Sequence, residues 1–160
     1  MQQENTSWEA LFDQRLPYLG HRNWILVVDK AYPAQSASGI EVINTGKPMR
    51  EVLGKVIAAL KNATHVSPIY YTDKELGFLT DELMPGVSAY RTSLEGMLKG
   101  TTQHAILHND VFPKIDKASQ LFKVLVLKTE ETIAYSSVFI ELDCAYWGPK
   151  NEAKLRELMK

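Results

Sequence analysis

Leu19-Gly20-His21-Arg22-Asn23-Trp24-Ile25-Leu26-Val27-Val28-Asp29-Lys30-Ala31-Tyr32-Pro33 is the stretch whose reading decides the fold. Its centre, Trp24 to Val28, is an unbroken apolar run rich in β-branched residues, the composition of a strand covered on both faces. A histidine stands before that strand, an aspartate directly after it, and a proline loop follows. Loops beyond the ends of such strands are where α/β proteins build their sites. His21 and Asp29 are therefore candidate acid/base groups. Each also has a plainer reading, His21 as a cap favourable to the dipole of a preceding helix and Asp29 as a loop cap.

Working outward, Ser7 to Leu19 carries apolar residues at Trp8, Leu11, Phe12, Leu16 and Leu19 behind a serine cap, which predicts a helix ended by Gly20. After the loop Asp29–Gly39, Ile40 to Ile43 predicts a short strand closed by Asn44-Thr45-Gly46. Helical spacing resumes from Pro48 to Leu60, with proline near the favoured first position. Val66 to Tyr71 predicts a third strand, placed near an edge by Pro68. The segment Thr72 to Lys99 is polar and mixed, with a helix over Tyr90–Leu98. Then come a short strand Ala105–Leu107, a helix Pro113–Leu121, a buried strand Phe122–Leu127, and a last strand Tyr135–Leu142. Gly148 to Lys160 reads as a further charged helix with a solvated face. This alternation predicts a three-layer α/β/α sandwich around a mostly parallel or mixed sheet.

The 160 residues, 45% of them apolar, suit one core, so residues 1–160 are expected to form a single domain with the helix at 148–160 added. With 18 basic and 19 acidic side chains the net charge is -1, and no global field favours nucleic acid or an anionic membrane. The single cysteine, Cys144, makes no internal disulfide and no Cys cluster for zinc or redox work. The opening Met1-Gln2-Gln3-Glu4-Asn5 lacks a signal-peptide pattern and no apolar run suits a bilayer, so a cytoplasmic protein is expected. His104 and His108 have the spacing of metal ligands on a helix, but the apolar residues between them suggest a strand end, and no metal site is expected. No Gly-x-Ser-x-Gly elbow is present for acyl transfer. Tyr70, Tyr71, Tyr146 and Trp147 could stack on a ligand, with core or interface packing the commoner role of such residues.

Leu19-Gly20-His21, Asp29, and the loop Tyr32-Pro33-Ala34-Gln35-Ser36 together resemble the opening of the ribose pyranase and fucose mutarotase family, closer to the fucose branch through Pro-Ala-x-Ser. Arg50-Glu51-Val52-Leu53 with Val56 to Leu60 resembles that family's helix after its second strand, and Lys128-Thr129-Glu130-Glu131 followed by Tyr135 resembles its turn and active-site tyrosine. The resemblance covers residues 8 to 143, with a poor match from Thr72 to Thr102. It implies a ribose pyranase-like fold and a cofactor-free isomerase that opens and recloses the ring of a free monosaccharide such as fucose or ribose. It implies His21 as the leading acid/base, Asp29 on sugar hydroxyls or fixing a histidine tautomer, and Tyr135 as hydrogen-bond partner or second proton carrier. Ser137 stands where the family commonly has an amide, His108 is the nearest equivalent of its late basic residue, and both are expected to bind substrate. Lys30 follows Asp29 where small residues are usual and could pair its charge.

Residues 21 and 29 lie roughly 26 Å apart if all eight steps are extended. Either the chain bends sharply at Arg22-Asn23, or His21 of one subunit meets Asp29 of its neighbour. The resemblance implies a ring-shaped homo-oligomer with sites between subunits, which fits the second option. The alternative function is a non-catalytic sugar-binding or sensor protein on the same scaffold.

Overall fold

Every residue of β1 (Trp24–Val28) is buried, and successive side chains point to opposite faces. Ile25 and Val27 enter one apolar cluster, while Trp24, Leu26 and Val28 enter another. The strand therefore lies between two layers. In the computed structural model, which describes residues 6–160, the remaining elements are α1 (Trp8–Arg15), β2 (Ile40–Asn44), α2 (Met49–Asn62), β3 (Val66–Asp73), α3 (Val87–Leu98), β4 (Gln103–Ile106), α4 (His108–Ser119), β5 (Val124–Lys128), β6 (Val138–Cys144) and α5 (Pro149–Leu158). The reading of Met1–Asn5 as leaderless falls outside the described residues.

The six strands form one sheet in the order β2-β5-β1-β6-β3-β4. β6 pairs antiparallel with both β1 and β3, and the other pairings are parallel, so β6 alone runs against the rest. The sheet is mixed and mostly parallel. The first cluster takes Phe12 of α1, Val52, Val56 and Leu60 of α2, and Val87, Tyr90 and Leu94 of α3. The second takes Val111 and Ile115 of α4. Helices thus cover both faces, completing the α/β/α sandwich. No helix among the described residues is long and apolar enough to cross a membrane.

Several local expectations need correction. α1 stops at Arg15 and tightens into a 3-10 turn over Leu16–Tyr18, because Pro17 has no N–H to continue the ladder. The left-handed residue of the following turn is Arg22, φ 76°, and not Gly20. β3 as a whole is interior, between β6 and β4, although its Pro68 part is paired to β6 alone and is locally an edge. Pro68 is tolerated there for a local reason. The Tyr70 N–H points toward the β4 side, donating to Thr102 O at 2.9 Å, and Pro68 shares that direction two residues earlier. The β4 pairing begins only at Tyr70↔Gln103, so the missing N–H of Pro68 costs the sheet nothing. α3 starts at Val87, just after left-handed Gly86. α4 starts at His108, not Pro113, and carries that proline inside it. β6 starts at Val138, leaving Tyr135 in the preceding loop.

Candidate active site

Two parallel strands end in carboxylates at one rim of the sheet. Asp29 follows β1 and Asp73 closes β3. Because β6 is reversed, its beginning reaches the same rim, where Val138 lies level with Val27 on one side and Thr72 on the other. Ser137 is thereby held between the two acids' strands. A cavity of about 360 Å³ opens here, lined by Asp29, Tyr32, Asp73, His108, Phe112, Tyr135 and Ser137 among others. The structure brings together four of the five residues singled out from the sequence.

Asp29 and Ser137 are joined twice. The Asp29 N–H donates to Ser137 Oγ at 3.0 Å, and the Ser137 hydroxyl donates to Asp29 Oδ1 at 2.9 Å. Lys30 does not pair with Asp29, as it is committed to Glu130 in an ion pair. Tyr135 has φ 58°, a left-handed conformation unusual for an aromatic residue. Its neighbours hold it there: Ser136 donates to Ile133 O at 2.6 Å, and the buried Tyr90 hydroxyl donates to Ser136 O. The Tyr135 ring, 40% exposed, meets the His108 ring edge-on with centroids 5.5 Å apart.

His108 is fixed at both its backbone and its ring. Its N–H, the first of α4, donates to Glu75 Oε1 and Oε2 at 3.0 and 3.1 Å, so the helix is capped by a carboxylate from a distant turn. Its Nδ1 lies 2.9 Å from Asp73 Oδ2. The Asp73 side chain is fully enclosed, and burial pushes its carboxyl up to about 6; nearby Glu75 and Asp29 act in the same direction, and His108 partly opposes them. The remaining wall is aromatic. Tyr32 stacks on Phe112, and burial raises its hydroxyl to about 12, keeping it neutral.

His21 lies elsewhere. It sits at the opposite rim, its Nδ1 2.9 Å from Asp143 Oδ1 and its side chain half exposed. About 16 Å of strand separates it from the cavity. The chain does turn at Arg22, whose N–H donates to Leu142 O at 2.9 Å, but it turns toward β6 and not back to Asp29. The sharp bend that would unite His21 and Asp29 within one chain is therefore excluded. His104 stands on β4 against Tyr71, and His108 opens α4, so their spacing of four does not place them on one helix face. Among the described residues, no group of three His, Cys, Asp or Glu side chains is arranged to hold a metal ion.

RbsD of Bacillus subtilis, solved with D-ribose, superposes with a TM-score of 0.58 at 18% identity, covering 87% of this chain and 95% of that one. The fucose mutarotase of Streptococcus pneumoniae, solved with L-fucose, gives 0.51 at 19% identity, covering 86% and 93%. FucU of Bifidobacterium longum gives 0.52 at 13%, covering 82% and 91%. The fold is that of ribose pyranase and fucose mutarotase. No family model matches the chain, and no curated protein sequence is significantly similar to it. At these identities the likeness to the pyranase and mutarotase structures is one of fold.

On this pyranase-like fold Asp73 and Glu75 join the site from the polar, mixed segment Thr72–Lys99, where no local pattern singles them out. The signal that could have found Asp73 is positional. A carboxylate ending a strand parallel to β1 belongs at the same rim as Asp29. Together the cavity groups offer a carboxylate and a phenol for hydroxyl groups, and an imidazole able to move a proton.

Proposed function

We propose that this protein is a cofactor-free monosaccharide mutarotase or pyranase, interconverting the anomers or ring forms of a free fucose- or ribose-like sugar. One observation carries the reading: Asp29, Tyr135, Ser137 and His108 converge on a cavity of about 360 Å³ at the carboxyl rim of a fold whose solved examples hold D-ribose and L-fucose. The chemistry needs a base for the anomeric hydroxyl and an acid for the ring oxygen, after which the aldehyde recloses from either face. Asp29 and Ser137 grip sugar hydroxyls, while Tyr135 completes the proton transfer. In this reading the subunits form a ring-shaped homo-oligomer in the cytoplasm, and His21 of one chain reaches the cavity of the next. The His21 side chain, held at Nδ1 by Asp143, is half exposed at the far rim, where a neighbouring chain can approach it. The uncatalysed reaction runs in water, so a sparse site suffices.

The test is saturation-transfer NMR at the anomeric protons of fucose, ribose, galactose and glucose, with and without protein. Accelerated exchange for one sugar, lost in Asp29→Asn, is expected; no acceleration for any sugar rejects the reading. A second reading, a sugar-binding protein without turnover, is favoured by one detail. The Ser137 hydroxyl spends its proton and one lone pair on Asp29, so it offers a ligand less than an amide would. Sugar binding with no accelerated exchange selects that reading.

A further inference from the structure

We infer that Asp73 is the positioning residue that makes His108 an acid/base of the cavity, gripping the imidazole through Nδ1 so that Nε2 exchanges protons with the sugar inside a single chain. The inference deepens the mutarotase reading and rests on it.

Packing gives no reason for an acid at Asp73. Its side chain is fully enclosed, its Oδ2 meets His108 Nδ1 at 2.9 Å, and among the described residues its Oδ1 has no hydrogen-bond partner. A buried carboxylate left half unsatisfied is destabilising, and an apolar residue of similar volume would serve the sheet better. What the acid does provide is orientation. His108 is clamped by Asp73 at the ring, by Glu75 at the backbone, and by the edge contacts of Phe112 and Tyr135. With Nδ1–H donated to the Asp73 carboxylate, the neutral ring carries its lone pair on Nε2, the nitrogen left for the cavity. An aspartate that fixes a histidine tautomer is the same logic by which a triad aspartate prepares its base.

The proton balance closes without a cofactor. Nε2 takes the proton of the anomeric hydroxyl as the carbonyl forms at C1. The C1–O5 bond breaks, its electron pair goes to O5, and O5 takes a proton from the Tyr135 hydroxyl. Reclosure runs the steps backward: the phenolate recovers the O5 proton, and the imidazolium returns its proton to the carbonyl oxygen. Both groups line the cavity of one chain.

The experiment combines long-range ¹H–¹⁵N NMR of the histidine rings with steady-state exchange kinetics on the parent, Asp73→Asn and His108→Gln. The His108→Gln variant assigns the His108 signals and removes the base outright. In the parent, His108 is expected as the Nδ1–H tautomer. In Asp73→Asn the side-chain amide can donate to Nδ1, and the ring is expected to change to Nε2–H. The corresponding loss in kcat is at least roughly tenfold, with KM altered by less than about threefold. A purely structural Asp73 would leave the tautomer unchanged. A parent ring that is Nε2–H, or an Asp73→Asn variant that keeps its kcat, overturns the inference while the mutarotase reading stands. A parent that accelerates no sugar overturns both.

Discussion

Replacing Asp73 by asparagine should stabilise the protein at neutral pH, although the same change is expected to slow it. Burial raises the Asp73 carboxyl from 3.8 to about 6, and the folded chain therefore holds this proton more tightly than the unfolded chain does. The sign follows directly. Below about pH 3 the group is protonated in both states and adds no pH dependence. Between about 4 and 6 the unfolded chain ionises first, so the parent loses stability as pH rises, and above about 6 the loss is complete. A shift of roughly 2 units corresponds to about 3 kcal/mol. Asparagine does not titrate and keeps the shape of the side chain. His108, Glu75 and Asp29, the charged neighbours of Asp73, remain in both proteins. The assay is urea unfolding of parent and variant at intervals from pH 4 to pH 8. The stability difference should shift toward the variant by about 3 kcal/mol across the window and then level off. A flat difference, or a parent that gains stability as pH rises through it, would refute the reasoning, because His108 would then compensate the carboxylate fully.

Other outcomes can be checked alongside. Equal mixtures of His21→Ala and Asp29→Asn subunits, each impaired alone, should recover exchange at about a quarter of the sites if a site takes His21 from one chain and Asp29 from its neighbour; no recovery after co-refolding contradicts the shared site. Ser137→Ala should raise the sugar dissociation constant several-fold and destabilise by about 1 kcal/mol, read by titration and urea melts, since Asp29 loses both of its tethers. Gly39→Ala should destabilise by roughly 1–3 kcal/mol, because the new methyl would stand 2.3 Å from Ser119 O, a backbone atom at the end of α4. Leu26→Ala, emptying a fully buried place at the centre of the sheet, should cost about 2–5 kcal/mol in the same melts.

The sheet was legible wherever one residue's neighbours in sequence settled its state. Trp24 to Val28 reads as a doubly covered strand because burial on both faces leaves no polar alternation, and all five residues are indeed buried. α4 was not legible in this way. Pro113 reads as a first helical residue, whereas the helix begins five residues earlier at His108, under a cap that Glu75 supplies from 33 positions away. The site divides along the same line. Asp29 could be named from its place after β1 and Ser137 from the family resemblance, but Asp73 acquires meaning only when β3 is placed parallel to β1 across the reversed β6. Composition alone marks it as one more polar residue in a mixed segment.

The connection from β5 to β6 arches over the end of β1 and is pinned at both feet. Thr129 donates to Val28 O at 2.7 Å, Lys30 N–H donates to Glu131 O at 2.8 Å, and Ser137 holds Asp29 at the far side. Between these feet, Thr132 and Ala134 are exposed, and Ala134 borders the cavity. Length and side chains can therefore change at the crown of the arch while the carboxylate stays where β1 and Ser137 put it. Divergence toward ligands of different size, or deliberate redesign, has a place to act that leaves the acid's position untouched.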